Sequence, residues 1–380
     1  MDVSIIERLS EVPAAQWDAL AGENNPFIEH AFLSALEESG SVGPGTGWQP
    51  AHLLVHEDGV LVGAAPLYVK SHSYGEYIFD WSWAEASQQA RIPYYPKLVC
   101  AVPFTPATGR RLLTRGTEPD PAVVAALLAG MRAVADAADA WSIHVLFSTE
   151  AERSLLADQH ALIPRTTQQF HWHNEGYADF DDWLSRFRSR DRKKTRRERS
   201  RAMEGIDSVY TLRGTEMTPR HWEVVRRNYQ HTCSKKWGSA YLTDAFFTLA
   251  ADTLAHRAMA CFAEADGQIV ASTLMFQKGG HLYGRYWGGR PGLDNLHFEM
   301  CYHLPIALCI AEGWTRFEAG AQGHHKIKRG LMPALTYSSH WLKHAGLSDA
   351  VARAMTQEDE ATRHQMAALA ARGPFRREEC

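Results

Sequence analysis

Between Glu318 and Gly330 the chain reads Glu-Ala-Gly-Ala-Gln-Gly-His-His-Lys-Ile-Lys-Arg-Gly. A carboxylate, an amide, two imidazoles, two ammonium groups and a guanidinium are interleaved with glycines that let backbone approach a ligand closely. Gly320, Gly323 and Gly330 interrupt any helical or strand periodicity, so a loop is expected. The apolar stretch before it, residues 307–317, reads as a helix end running into a short strand. Loops carried on rigid elements are where binding and acid–base groups concentrate. A polar surface turn is the competing explanation, and the mixture of acid, donors and bases beside glycine favours a site.

Three further segments carry chemistry. From Arg186 to Arg201 there are ten Lys or Arg in sixteen residues against Asp191 and Glu198, a local charge of +8 in a chain of net charge -4. Beyond Phe187 no large apolar residue appears until Met203, so no apolar stripe can seat this helix. Self-repulsion among so many cations favours a bound polyanion, such as the phosphates of a tRNA or nucleotide. Arg190, Arg192, Lys193, Lys194, Arg196 and Arg197 are the candidate contacts. DNA is not expected, because one basic segment on an acidic body offers no groove-reading module. Next, Tyr283-Gly-Arg-Tyr-Trp-Gly-Gly-Arg-Pro-Gly292 reads as strand, glycine-rich loop and helix start. Such a cradle can hold phosphate through backbone N–H groups, here of Gly288 and Gly289; a structural turn explains it equally well. Last, Asp80, Trp83, Glu85, Lys97 and Arg110 lie among aromatics over 79–110. That mixture suits either a cleft for a large polar ligand or packing between domains. His171-Trp-His173 has strand spacing but no evident set of Cys or acidic ligands to complete a metal site, so it reads as core and cleft lining, and no metal site is expected.

The elements that must position these groups follow from periodicity and turn chemistry. At 380 residues the chain is long for one core, and two domains are expected. With 45% hydrophobic and 22% charged residues it is globular and not disordered. No apolar run approaches the roughly 18 residues of a membrane span. The acidic start lacks a signal-peptide pattern, and six scattered cysteines without a CxxC pair form neither a disulfide framework nor a zinc site. A cytoplasmic location is the expectation. Glu57-Asp-Gly59 and Ala265-Asp-Gly267 each join two apolar runs, which predicts two hairpins. Helices are predicted over 121–141, 180–203, 219–232, 243–256, 296–312 and 349–371, and strands over 142–148, 166–173, 206–212, 281–287, 315–318 and 336–343. Residues 77–98 read as irregular. Each half runs strand, two helices, hairpin, strand region, helix, strand, so two similar α/β units of mixed sheet are predicted, over 1–165 and 166–380.

Phe79-Asp-Trp-Ser-Trp-Ala-Glu85, Tyr94-Tyr-Pro-Lys-Leu98, Pro103-Phe-Thr-Pro-Ala-Thr-Gly109 and the loop Gly320–Gly330 together resemble the FemAB-like N-acyltransferases, bacterial proteins described as peptidoglycan biosynthesis or recognition proteins. The likeness spans nearly the whole chain; His324 departs from it, standing where an acidic residue is expected. The resemblance implies two tandem GNAT-like domains. It also implies transfer of an aminoacyl group from aminoacyl-tRNA to an amine, as in the Fem transferases, where a basic helix resembles 185–197. Their long helical-hairpin insertion is absent. Acyl-CoA is the alternative donor. Its usual R/Q-x-x-G-x-G/A loop has no clean copy here, Arg285-Tyr-Trp-Gly-Gly-Arg290 failing at the last position.

Acyl transfer to an amine needs the amine deprotonated, the carbonyl polarised and the leaving group protonated. No metal or tightly bound cofactor is required. On this reading Lys326 and Arg329 stabilise the oxyanion or a donor phosphate, and Glu318 or His325 positions or deprotonates the amine. Arg285, Tyr286, Glu299 and Gln322 line the same cleft, with Asp80, Trp83 and Lys97 reaching it from the first half. The acceptor is an amine such as that of a peptidoglycan precursor. The rivals are an acyl-CoA-dependent GNAT enzyme and a non-catalytic binder of cell-wall precursor or RNA.

Overall fold

The computed structural model describes residues 1–236, 240–293, 295–320 and 323–376. In chain order the first part carries β1 (Asp2–Ile6), α1 (Ala14–Asp18), α2 (His30–Glu38), β2 (Trp48–Pro50), β3 (His52–Glu57), β4 (Val60–Ala65), β5 (Leu67–Lys70), α3 (Trp81–Gln89), β6 (Lys97–Cys100), β7 (Leu113–Thr114), α4 (Pro121–Ala137), β8 (Ser142–Ser148), α5 (Glu150–His160) and β9 (Ile163–His173). There follow α6 (Phe180–Ser185), α7 (Ser189–Ala202), β10 (Ser208–Arg213), α8 (Pro219–Lys236), α9 (Asp244–Thr253), β11 (Ala258–Ala265), β12 (Gln268–Lys278), β13 (His281–Gly289), α10 (Leu296–Phe298), a π-turn at Glu299–His303, α11 (Leu304–Ala311), β14 (Arg316–Glu318), β15 (Met332–Leu342) and α12 (Ala345–Ala370). No helix among the described residues is long and apolar enough to cross a membrane.

The chain forms two compact units. One comprises Met1–Gln168, Tyr241–Phe246 and Leu335–His364; the other comprises Gln169–Ala240, Phe247–Ala334 and Gln365–Cys380. The chain therefore passes from one to the other inside β9, at residues 240–241, inside α9, inside β15 and inside α12.

In the first unit β1, β3, β4 and β7 form one sheet. A second set pairs β2 with β5, β5 with β6, β6 with β8 in parallel, and β8 with β15. The run from Val60 to Val69, expected as one strand, divides at Pro66, whose missing N–H cannot join a ladder. β4 stays with β3 while β5 serves the other set. The turn between β3 and β4 has Asp58 and Gly59 both at positive φ, 50° and 76°, the geometry that favours Asp-Gly in two-residue hairpins. α4 begins at Pro121 after Asp120, whose carboxylate accepts from the N–H groups of Ala122 and Val123. It buries Val124, Leu127 and Met131 against Leu53, Leu98 and Val145.

The second unit is built on the order β10-β11-β12-β13-β14-β9. β10 to β13 are antiparallel; β13 and β14 are parallel, joined through α10, the π-turn and α11. The helix expected over 180–203 breaks into α6 and α7 because Phe187 turns inward, fully buried beside Trp183 and stacked edge-on against Phe375. The helix expected over 296–312 holds the π-turn just before Pro305. That residue cannot donate a helical hydrogen bond, and a wider turn relieves its clash with the preceding carbonyls.

Candidate active site

β13 and β14 pair only over His281–Arg316, Leu282–Phe317 and Tyr283–Glu318. β14 then ends, while β13 runs on to Gly289. At that point the register with β12 shifts: Leu274 faces Tyr286 and Met275 faces Gly284. Arg285 is thereby the extra residue of a β-bulge, a device that re-aims a side chain and is common beside active sites. Past Glu318 the chain bends at Gly320, φ 79°, and enters a 3-10 turn at His324–Arg329 between Gly323 and Gly330. The loop expected here thus contains a 3-10 turn. Ile327 and Leu331 bury in the unit's core. Gly330, at φ 77°, lies so close to Trp183 that a Cβ would come within 2.5 Å of its ring.

This seating carries Lys326 inward. Its side chain is 1% exposed, and Nζ donates to the Gly320 carbonyl at 2.6 Å. Among the described residues no carboxylate pairs with it. Burial lowers its pKa from 10.5 to about 7, so near neutral pH the amine is poised to exchange a proton. Its neighbour His325 is exposed and shares a hydrogen bond with the Tyr302 hydroxyl, Nε2 to Oη 2.9 Å.

Arg329 has a different environment. Nε and Nη2 donate to both oxygens of Glu198 at 2.9 and 2.7 Å, Nη1 donates to the His325 carbonyl at 2.8 Å, and the guanidinium lies 3.4 Å from the Phe298 ring centre. Each nitrogen is engaged in holding the turn that carries His325 and Lys326. Glu318 is 2% exposed, 2.8 Å from Arg316 Nη2 and 3.7 Å from His171 Nε2. Burial, with Arg316 next in weight, drives the His171 pKa well below 6.5, so that ring is neutral.

Glu299, expected to face substrate, is buried at the head of the π-turn. It accepts a two-pronged ion pair from Arg199 at 2.8 to 3.1 Å, because a buried carboxylate needs a partner. Tyr286 is half-buried, its ring edge-on to Tyr229 at 4.7 Å. Gln322 lies outside the described residues. Gly288 and Gly289 belong to β13 and not to a phosphate loop, opposite Ser272 and Ala271. A Cβ at Gly288 would sit 2.4 Å from the backbone oxygen of Asn228. That glycine exists to let α8 close on the strand.

α7 is seated without an apolar stripe. Thr195 and Ala202 are its buried residues, and Glu198 and Arg199 dock it through ion pairs. Arg190, Lys193, Lys194, Arg196 and Arg197 are exposed and Arg192 is half-buried; Arg196 lies 3.1 Å from Asp181. Sequence reasoning missed Glu198 as a site residue. Its signal was one of two carboxylates, with Asp191, in a run of ten cations.

Asp80, Trp83 and Lys97 were expected to line the cleft and instead lie inside the first unit, 2%, 4% and 0% exposed. The Lys97 ammonium donates to Ser73 Oγ at 2.7 Å, to Glu76 Oε2 at 2.9 Å and, closest of all, to Asp80; the Tyr94 hydroxyl donates to Asp80 at 2.6 Å. Burial alone would raise the Asp80 pKa, but Lys97 outweighs it and the net shift is downward. Burial lifts Glu76 to about 7 and lowers Lys70 to about 7. Trp83 packs edge-on against His340 at 4.7 Å. The Asp80 carboxylate occupies the N-cap position of α3 without capping it, since Lys97 and Tyr94 claim it. That helix lies in a stretch expected to be irregular, although Asp80 is a residue type that commonly precedes a helix.

The FemAB-like family model, described as peptidoglycan biosynthesis/recognition, matches residues 8–377. A comparison with curated proteins gives no match. Among solved structures, FemX is similar with a TM-score of 0.52 at 12% identity, over 93% of this chain and 100% of that one. A conserved protein of unknown function from Bacteroides thetaiotaomicron gives 0.51 at 11%, over 89% and 99%. The C-terminal domain of a putative lysylphosphatidylglycerol synthetase from Agrobacterium fabrum gives 0.51 at 10%, over 89% and 93%. Identities this low carry the fold alone. That fold is the mixed α/β class expected from the sequence. With the model matching nearly its whole length, the chain belongs to the FemAB-like family of peptidoglycan biosynthesis and recognition proteins.

Proposed function

We propose that the chain is an N-acyltransferase whose second unit passes an activated acyl group, aminoacyl from aminoacyl-tRNA, to an amine such as that of a peptidoglycan precursor. The observation that carries this reading is Lys326. It is buried, unpaired by any described carboxylate, lowered to about 7, and placed on the loop that leaves β14 where β13 bulges at Arg285. The unprotonated Lys326 amine accepts the proton lost by the attacking acceptor nitrogen. The resulting ammonium then stabilises the oxyanion and protonates the departing oxygen of the donor. Arg285 faces donor charge from the bulge. Glu318 and His325 orient the acceptor amine, and Arg329 holds the turn in place. No metal or resident cofactor takes part in these steps.

A tRNA donor is favoured over acyl-CoA by two features. Gly288 and Gly289, the pair read as a phosphate cradle, are held in the β-ladder opposite Ser272 and Ala271. The exposed cations of α7 offer an extended polyphosphate track. Family membership supports the acceptor class.

The test is a parallel titration with aminoacyl-tRNA and acetyl-CoA at two salt concentrations, followed by a transfer assay on a peptidoglycan-precursor amine. Salt-sensitive tRNA binding with acyl transfer is expected. Saturable acetyl-CoA binding with no tRNA affinity would replace the donor. Binding of tRNA with no transfer to any amine would leave a non-catalytic RNA binder.

A further inference from the structure

Glu198 and Arg199 are neighbours on α7, yet each is committed to a different wall of the candidate site. Arg199 reaches the π-turn, pairing with Glu299 three residues before Tyr302 and lying 4.2 Å from the Phe180 ring centre. Glu198 reaches the 3-10 turn, taking both forks of Arg329 and a third hydrogen bond from His303 Nε2 at 3.0 Å. Arg329 in turn grips the His325 carbonyl, one residue from Lys326. One carboxylate therefore stands between the basic helix and the loop bearing the proton-transfer amine.

The same carboxylate has competitors on its own helix. Lys194 lies four residues before Glu198 and Arg201 three after, the spacings at which helical side chains meet, and both are exposed. Arg197 and Arg199 flank Glu198 in sequence, Arg199 being held by Glu299. The Glu198 side chain is only 10% exposed; burial opposes its charge, and the bonds from His303 and Arg329 outweigh that and hold its pKa below 4.5. A polyanion on the exposed face engages Lys194 and Arg201 and repels Glu198. Both effects drive the carboxylate towards Arg329.

We infer that Glu198 is a positioning residue through which a polyanion on the exposed face of α7 tightens the loop that carries Lys326. This rests on the reading of the second unit as the acyl-transfer site, and it adds a function for the basic helix: setting the loop as well as holding the donor.

The experiment measures acetic anhydride labelling of Lys326 by peptide mass spectrometry, at a pH above its pKa, with and without saturating long-chain inorganic polyphosphate. Binding of polyphosphate is measured separately. In the wild type, polyphosphate is expected to slow Lys326 labelling by about fivefold, the low end of ordinary coupling between sites. In Glu198→Gln the labelling is faster at rest and indifferent to polyphosphate, while polyphosphate affinity stays within about twofold of wild type. Arg329→Lys, which keeps the charge but not the fork, gives the same loss of response and serves if Glu198→Gln does not fold. An equal response in both variants overturns the inference, as does a wild type in which polyphosphate fails to bind or leaves Lys326 labelling unchanged. A wild type that shows the coupling but transfers no acyl group to any amine would sink the acyltransferase reading and leave the clamp standing.

Discussion

Replacing Lys326 by Met separates its catalytic value from its structural cost. A lysine lowered from 10.5 to about 7 binds its proton more weakly in the folded chain than in the unfolded one. Between those values the unfolded state holds more protons, so the folded state gains stability as pH rises through that window. At 1.36 kcal/mol per unit, the shift costs the fold about 5 kcal/mol at pH 6, where the amine is protonated in both states, and about 2 kcal/mol at pH 9. Met fills a similar volume without a charge to bury and loses the bond to the Gly320 carbonyl, worth about 1 kcal/mol. Lys326→Met is therefore expected to be more stable than wild type at pH 6, with an advantage that shrinks by about 3 kcal/mol by pH 9. Urea denaturation at the two pH values reads this directly. Turnover should fall about 10²-fold or more, and the wild-type kcat/KM should rise with pH through about 7. Parallel stability–pH curves for wild type and variant would refute the shifted amine, and with it the assignment of proton transfer to Lys326.

Three other outcomes follow from the same geometry. Neutralising Lys193, Lys194 and Arg197 to Gln should weaken tRNA binding and flatten its logarithmic salt dependence by about 2, at about 0.7 for each phosphate that no longer meets a cation, with acetyl-CoA binding unmoved; an unchanged slope would take tRNA off α7. Gly288→Ala forces a Cβ to within 2.4 Å of a backbone oxygen. It should cost about 1–3 kcal/mol in thermal denaturation while leaving tRNA affinity intact, whereas weaker affinity at unchanged Tm would restore the phosphate cradle. Asp80→Asn removes one partner of a buried ion pair and should destabilise by about 3–5 kcal/mol, seen as a lower urea midpoint; a neutral effect would mean that Lys97 is satisfied by Glu76 and Ser73 alone.

Much of the fold was legible because its signals are local. Asp58-Gly59 and Asp266-Gly267 mark their hairpins by the positive φ that both residues adopt. What failed were elements whose boundaries depend on distant partners. α3 went unread although Asp80 is an N-cap residue type; in the fold that carboxylate caps no helix N–H and is held by Lys97, seventeen residues away. α6 and α7 read as one helix because nothing local announces that Phe187 turns inward to meet Phe375. The candidate site shows the same division. The loop 318–330 declared its chemistry through residue type and glycine spacing, but the differing states of its two central cations were invisible. Lys326 and Arg329 look interchangeable in sequence.

Their difference comes from what each meets on burial. A guanidinium is not neutralised within proteins, so Arg329 can enter the interior only with a carboxylate that matches its fork, and Glu198 supplies one. An ammonium can lose its proton, so Lys326 can be buried against the Gly320 carbonyl, with no carboxylate beside it among the described residues, and adjusts its pKa instead. The two cations three residues apart therefore have different duties, one fixed in charge and one free to titrate. The residue that decides this, Glu198, lies more than a hundred positions upstream in a segment whose composition draws attention only to its cations. A carboxylate left among ten cations has many local partners available. Its engagement by a residue from another part of the chain marks where the helix serves the site as well as the solvent.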